Sequence, residues 1–348
     1  MWGLVGQERA VAALDRALAA GRAAHAYLLV GPERVGKHTL ALKLAQALNC
    51  EGDSPVDGEP ASPEPSRRVE PCGRCEPCRR IAAGIHADVQ VVGVEAIDGG
   101  IHKDISIDQI RELGRVVSLR PFEGRCRVII IDPADAMNEA AQNAFLKTLE
   151  EPPPDVLFVL ITSRPQALRA TIRSRCQRLD LSPLPLPQLE EALRQRWSVA
   201  PRQAQLLARL SRGRLGWAIA AHQDEEMMRV RHEALTDIRA LPERTIQERF
   251  GYASEVAGRF SRDRTTVLAV LDLWRDWWRD VLLASSGCQD VITNLDLWDI
   301  LKAEASRYAP AQVVAFLRSL AATKRRLEEN VNPRLALEVL MLDLPAPP

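Results

Sequence analysis

Residues 127–153, RVIIIDPADAMNEAAQNAFLKTLEEPP, constrain the fold most. Val128 to Ile131 form the apolar run of a buried strand, and Asp132 stands at its C-terminal end. Asn138 can cap the helix that follows, Ala141, Phe145 and Leu149 make one stripe on it, and Pro152, Pro153 and Pro154 end it. Residues 26–30 and 156–161 are two more short apolar runs bounded by turn residues. Strands that alternate with helices predict an α/β fold with a parallel sheet. Ligand sites in such sheets lie at the carboxyl ends of the strands, which directs Thr162, just beyond residue 161, towards the loop after Val30.

That loop reads Gly31-Pro32-Glu33-Arg34-Val35-Gly36-Lys37-His38-Thr39 and runs into a helix bearing Leu40, Leu44, Ala47 and Leu48. Strand, glycine loop, lysine and helix are the parts of a P-loop. Glycines let backbone N–H groups curl around phosphates, the helix N-terminus adds its positive dipole end, and the lysine meets the outer phosphates. Gly31, Gly36 and Lys37 fit. Two positions do not. His38 stands where a hydroxyl would ligate Mg²⁺, with Thr39 one place further round the helix, and Pro133 follows Asp132 where a neighbouring acid would orient water. ATP or ADP with Mg²⁺ is therefore a candidate ligand set, on Gly31, Gly36, Lys37, Thr39, Asp132 and Thr162, and hydrolysis is not expected. Asp135, three residues beyond Asp132, sits at a different offset on the turn.

Cys72, Cys75 and Cys78 have metal-ligand spacing, and Cys50 at the end of the preceding helix makes a fourth thiol. Four thiolates are a closed tetrahedral Zn²⁺ site, structural because no position stays open for substrate. His86 competes with Cys50 for the fourth place. Between them, residues 51–71 are rich in proline, serine and acid without periodicity, the mark of a surface excursion. Equal numbers of acidic and basic residues, 46 each, argue against a protein whose main affinity comes from tracking a phosphate backbone. The opening residues carry Glu8, Arg9, Asp15 and Arg16, so neither export nor a membrane anchor is expected, and a cytoplasmic location is the default.

Residues 87–94 predict another strand, 98–103 a polar loop, and Ser106 an N-cap for a helix carrying Ile107, Ile110, Leu113 and Val117. Residues 177–181 close the α/β part. Beyond the proline-rich residues 183–187 no strand pattern appears. Three short helices read as a lid-sized unit, and the remainder is helical, with Val267, Leu271, Trp274, Trp278, Val281 and Leu282 on one stripe. Acids interleave with Trp274, Trp277 and Trp278, which favours a bundle core over base stacking.

Together, the P-loop helix, the CxxCxxC module, IDPADAMNEAAQNAFLKTLEEPP, the triplet Ser174-Arg175-Cys176 and the terminal NVNPRLALEVLML resemble bacterial replicative clamp loader subunits of the AAA+ family, nearly along the whole chain. Within the family the resemblance is to the delta prime branch, because motor subunits of the gamma/tau type carry Asp-Glu where this chain has Asp132-Pro133. The resemblance implies an AAA+ core of P-loop NTPase type over 1–182, with the zinc module inserted near 50–80, a helical lid over 183–223, and an all-α collar domain over 224–348. It also implies gamma/tau and delta subunits as partners, with a sliding clamp and primer–template DNA met through the complex. Arg175 is then an arginine finger reaching a neighbour's nucleotide, a role its guanidinium suits. An active gamma/tau-like ATPase is the alternative reading.

Overall fold

The structure is a computed structural model that describes residues 2–52, 70–94, 96–97, 100–101, 104–329 and 331–346. Most of the proline-rich excursion at 51–71 and much of the polar loop at 98–103 lie outside the described residues. The chain divides into two compact units: Met1–Gln188 with Arg214–Gly216, and Leu189–Gly213 with Trp217–Pro348.

In the first unit, strands β1 (Ala26–Val30), β2 (Val89–Val92), β5 (Arg127–Ile131), β6 (Val156–Thr162) and β7 (Gln177–Asp180) form one parallel sheet in the order β2-β5-β6-β1-β7. A separate two-residue pair, β3 (Ala96–Ile97) and β4 (Gly100–Ile101), is antiparallel. The three apolar runs occupy the sheet centre and are buried throughout, as strands covered on both faces must be. Alternation along each strand divides them between two cores. Tyr27, Leu29, Val128, Ile130, Val159 and Ile161 join helices α1 (Glu8–Ala19) and α2 (Lys37–Asn49) on one face. Leu28, Val30, Ile129, Ile131, Phe158 and Leu160 meet α4 (Ile107–Val117) and α5 (Glu139–Glu150) on the other. The caps expected from sequence hold: Ser106 and Gln109 make a reciprocal capping box, and the Asn138 side chain accepts from the Ala141 amide.

One feature that sequence patterning missed anchors the bottom of the sheet. Asp88, just before β2, accepts backbone N–H bonds from Phe122, Glu123 and Gly124 at 2.8–2.9 Å and pairs with Arg127 at 2.9 Å. Arg127 in turn donates to the carbonyls of Val116, Leu119 and Arg120 behind α4. Both side chains are buried, so each needs the other.

Among the described residues of the second unit, every regular element is a helix. Helices α7 (Leu186–Trp197, mostly in this unit), α8 (Pro201–Ser211) and α9 (Leu215–Gln223, likewise) correspond to the three short helices read from sequence. The long helices are α10 (Glu225–Ala240), α11 (Ile246–Arg262), α12 (Arg264–Ser285), α14 (Pro310–Glu328) and α15 (Pro333–Leu342). Trp274, Trp277 and Trp278 are each 1% exposed and belong to this unit's core, as the interleaved acids suggested. Two of those acids also turn inward. Asp280 accepts from the Thr293 and Asn294 amides, and Asp276 pairs with Arg212.

Burial alone would raise the Asp88 pKa, but the three loop N–H groups and Arg127 outweigh it and hold the carboxyl at about 2. A carboxylate depressed from an ordinary value near 3.8 contributes about 2 kcal/mol that is present above pH ~4 and disappears as pH falls towards 2. Asp88→Asn removes that acid-sensitive share and strands the Arg127 charge, at a cost of about 3 kcal/mol. Urea unfolding of both proteins between neutral pH and pH ~3 checks it. Equal stability of the variant and the parent at neutral pH would show that the pair is not an anchor.

Candidate functional site

The loop between β1 and α2 begins where β1 and β6 end side by side, Val30 opposite Thr162. A side chain at Gly31 would meet the Leu181 carbonyl oxygen at 2.4 Å, and Gly36 has φ +107°, a conformation that side chains resist. Both glycines are therefore required by the loop's own path. Lys37, the first residue of α2, is only 7% exposed, and its Nζ donates to the Gly31 and Pro32 carbonyls at 2.6 Å. Burial pulls its pKa down, while Asp132, Glu33 and Asp135 act in the opposite direction. Thr39 lies exposed in the same helical turn. The tripeptide Arg214–Gly216 belongs to this unit as well, and the Gly216 amide donates to the Arg34 carbonyl in the loop at 2.9 Å.

The acids beyond β5 are committed within the chain. His38 Nδ1 lies 2.9 Å from Asp132 Oδ2. The Asp132–Pro133 bond is cis, and Pro133 leads into a 3₁₀ turn, Ala134–Ala136. That turn sends Asp135 to a different corner, where Oδ1 accepts from the Thr162 hydroxyl at 2.7 Å and Oδ2 from Arg164 Nε at 2.9 Å. The phosphate-binding half of the loop, with its glycines, buried lysine and helix N-terminus, suits nucleotide phosphates. The cation-binding half does not suit Mg²⁺. The hydroxyl position holds an imidazole bonded to the one carboxylate, and the next acid is absent. The His38–Asp132 contact was not legible in the sequence, where His38 registered only as a missing hydroxyl.

At the far end of α2, Cys50, Cys72, Cys75 and Cys78 place their sulfur atoms within 4.8 Å of one another. A tetrahedron with metal–sulfur bonds of ~2.3 Å has edges of about 3.8 Å, so the cluster needs only a small contraction around a cation. Cys50 and Cys75 already stand 3.9 Å apart. Backbone N–H groups point at the sulfurs: those of Arg74 and Cys75 at Cys72, and those of Gly52 and Cys72 at Cys50. Burial opposes ionisation of Cys72, but the Cys75 and Arg74 amides together with the neighbouring Cys75 and Cys50 thiols overcome it and bring the thiol to about 7. Burial pushes Cys75 and Cys78 up. His86 is occupied elsewhere, its Nδ1 accepting from the Asp88 amide at 3.1 Å, and Cys50 is the thiol that joins the other three. The donor set fits a structural Zn²⁺.

Arg175 follows the short helix α6 (Ala170–Arg173), more than a third exposed. It donates to the Thr171 carbonyl at 3.1 Å and to Glu150 Oε1 at 2.8 Å, which turns its guanidinium along the surface near the end of α5.

A family model described as "DNA polymerase III, delta subunit" matches residues 6–185, and one described as "DNA polymerase III, delta subunit, C terminal" matches 255–345. The chain is 31% identical over 338 residues to DNA polymerase III subunit delta' of Bacillus subtilis, covering 97% of this chain and 96% of that protein. It is 39% identical over 168 residues to the delta' subunit of Pseudomonas aeruginosa, covering 47% and 45% of the two chains. With DNA polymerase III subunit tau of Escherichia coli it shares 36% identity over 222 residues, 62% of this chain but only 31% of tau. Matched over residues 6–185 and 255–345 by the two delta models and along nearly its whole length by a delta' subunit, the chain belongs to the delta/delta' family of DNA polymerase III clamp loader subunits.

Proposed function

We propose that the chain acts as a delta'-type subunit that does not turn over ATP itself, and that serves as stator and arginine-finger donor in loading a sliding clamp onto primed DNA. The observation that carries this reading is the His38–Asp132 contact beside Pro133. Hydrolysis by a P-loop needs a hydroxyl and a carboxylate on Mg²⁺ and a group that orients water. Here the first position is His38, Asp132 is bonded to it, and the third position is a proline. Arg175 keeps what a neighbour's site would use, a partly exposed guanidinium held by Glu150 through a surface ion pair of the kind that breaks easily. In trans it would neutralise charge building on a transferring phosphoryl group.

The rest of the assignment follows the same reading. Residues 1–182 are the AAA+ core, 183–223 the lid and 224–348 the collar domain. Gamma/tau and delta subunits are the partners, and clamp and primer–template DNA are met through the complex. The loop after β1 binds nucleotide phosphates, and the four cysteines hold Zn²⁺. The likeness to tau supports a second reading, a gamma/tau-type motor working through Lys37 and Asp132.

Two measurements test these assignments. The purified chain should show no Mg²⁺-dependent ATP turnover, whereas Arg175→Ala should lower the DNA-stimulated ATPase of a complex rebuilt with motor and delta subunits by about 10³-fold at each site it serves. An unchanged rate in the complex would remove the finger, and turnover by the lone chain that Lys37→Ala abolishes would establish the motor reading instead. Metal analysis should find about one zinc per chain, lost with Cys72→Ser or Cys75→Ser together with a lower thermal midpoint. A metal-free protein with the same midpoint would refute the site.

A further inference from the structure

P-loops that use magnesium bind two things at once: the phosphates, through backbone N–H groups and lysine, and the cation, through a hydroxyl on the first helical turn and a carboxylate at the end of a neighbouring strand. In this chain the two halves have separated. Gly31 and Gly36 occupy positions where the loop has no room or no tolerance for a side chain, Lys37 is buried at the head of a 13-residue helix, and that helix end is intact. The cation half has been rewired onto protein groups. His38 replaces the hydroxyl and lies 2.9 Å from Asp132 Oδ2, Pro133 supplies no acid, and each oxygen of Asp135 accepts a hydrogen bond, from Thr162 and from Arg164.

We infer that this loop takes the phosphates of a nucleoside di- or triphosphate without a divalent cation, the His38–Asp132 pair standing where magnesium would sit. The inference rests on the reading that the loop binds nucleotide phosphates at all, and adds how. Asp132 is the acid that would hold magnesium's water shell, and His38 engages it. A magnesium ion arriving on the nucleotide therefore meets His38 at the position directly after Lys37, where a hydroxyl would ligate it, and has to compete with the imidazole for its carboxylate. Magnesium prefers to keep its waters and binds firmly only where oxygen ligands complete an octahedron. With no such completion the cation adds nothing to affinity, and Lys37 exchanges the Gly31 and Pro32 carbonyls for phosphate oxygens whether or not magnesium is present.

Calorimetric titration of the full-length chain with ADP and with ATP, in buffer stripped of magnesium and then with millimolar magnesium, decides it. Magnesium is varied by omission and not by chelation, so that any zinc on the thiol cluster stays in place. The dissociation constants should agree within about threefold between the two conditions, with both titrations lost in Lys37→Ala. His38→Thr restores a hydroxyl and frees Asp132, and should make binding about tenfold tighter with magnesium than without. Circular dichroism checks that this variant folds, and the wild-type comparison stands independently of it. Wild-type binding that requires magnesium overturns the inference and leaves the nucleotide reading intact. Heat in neither condition overturns both, and a His38→Thr protein indifferent to magnesium removes His38 from the argument and overturns the inference.

Discussion

Helix α2 is the member on which both candidate sites depend. It spans about 20 Å at 1.5 Å per residue, begins at Lys37 and His38, and is C-capped by Cys50, the fourth thiol. Leu40, Ala41, Leu44 and Ala45 seal its inner face against β1 and β6. Two of its buried polar residues join it to neighbouring segments. Gln46 donates to the Cys78 carbonyl, and Asn49 exchanges hydrogen bonds with both backbone groups of Cys126 before β5. The thiol module and the β5 entrance are thereby locked to the helix whose other end closes the glycine loop after β1.

The same economy governs the acids at the opposite edge. In a magnesium-dependent site, carboxylates near the phosphates stay charged because a cation sits among them. In this corner the carboxylates bond to protein groups, Asp132 to His38 and Asp135 to Thr162 and Arg164. Both acids are thereby engaged within the chain. Pro133 belongs to the same arrangement, since it stands where the second acid would be and leads into the 3₁₀ turn that carries Asp135 to the Thr162 hydroxyl.

In the second unit, stability comes from aromatic mass. Trp278 meets Tyr308 and Phe316 edge-on at 5.0 and 5.5 Å, and Trp274 stacks with Tyr252 at 5.9 Å. The aspartates between the tryptophans are tolerated inside because each has a partner of its own, Asp276 in Arg212 and Asp280 in the Thr293 and Asn294 amides. A heptad-like stripe shows where the tryptophans go, but it has no means of showing that two of the acids follow them inward.

Much of this protein can be read locally. The apolar runs, the caps at Ser106 and Asn138, the glycines of the loop and the three tight cysteine spacings are properties of adjacent residues, so hydrophobic periodicity and turn chemistry reveal them directly. What only the tertiary structure decided are pairings between residues far apart in the chain. His38 reaches Asp132 across 94 positions and Asp88 reaches Arg127 across 39. Cys50 and not His86 joins the thiol cluster, His86 accepting instead from the Asp88 amide. No local pattern encodes such choices, because they depend on which polar groups the folded sheet leaves buried together and in need of a partner. The sequence alone determined that this is an α/β loop-and-lysine fold with its second acid missing, and the packed structure decided that His38 meets Asp132.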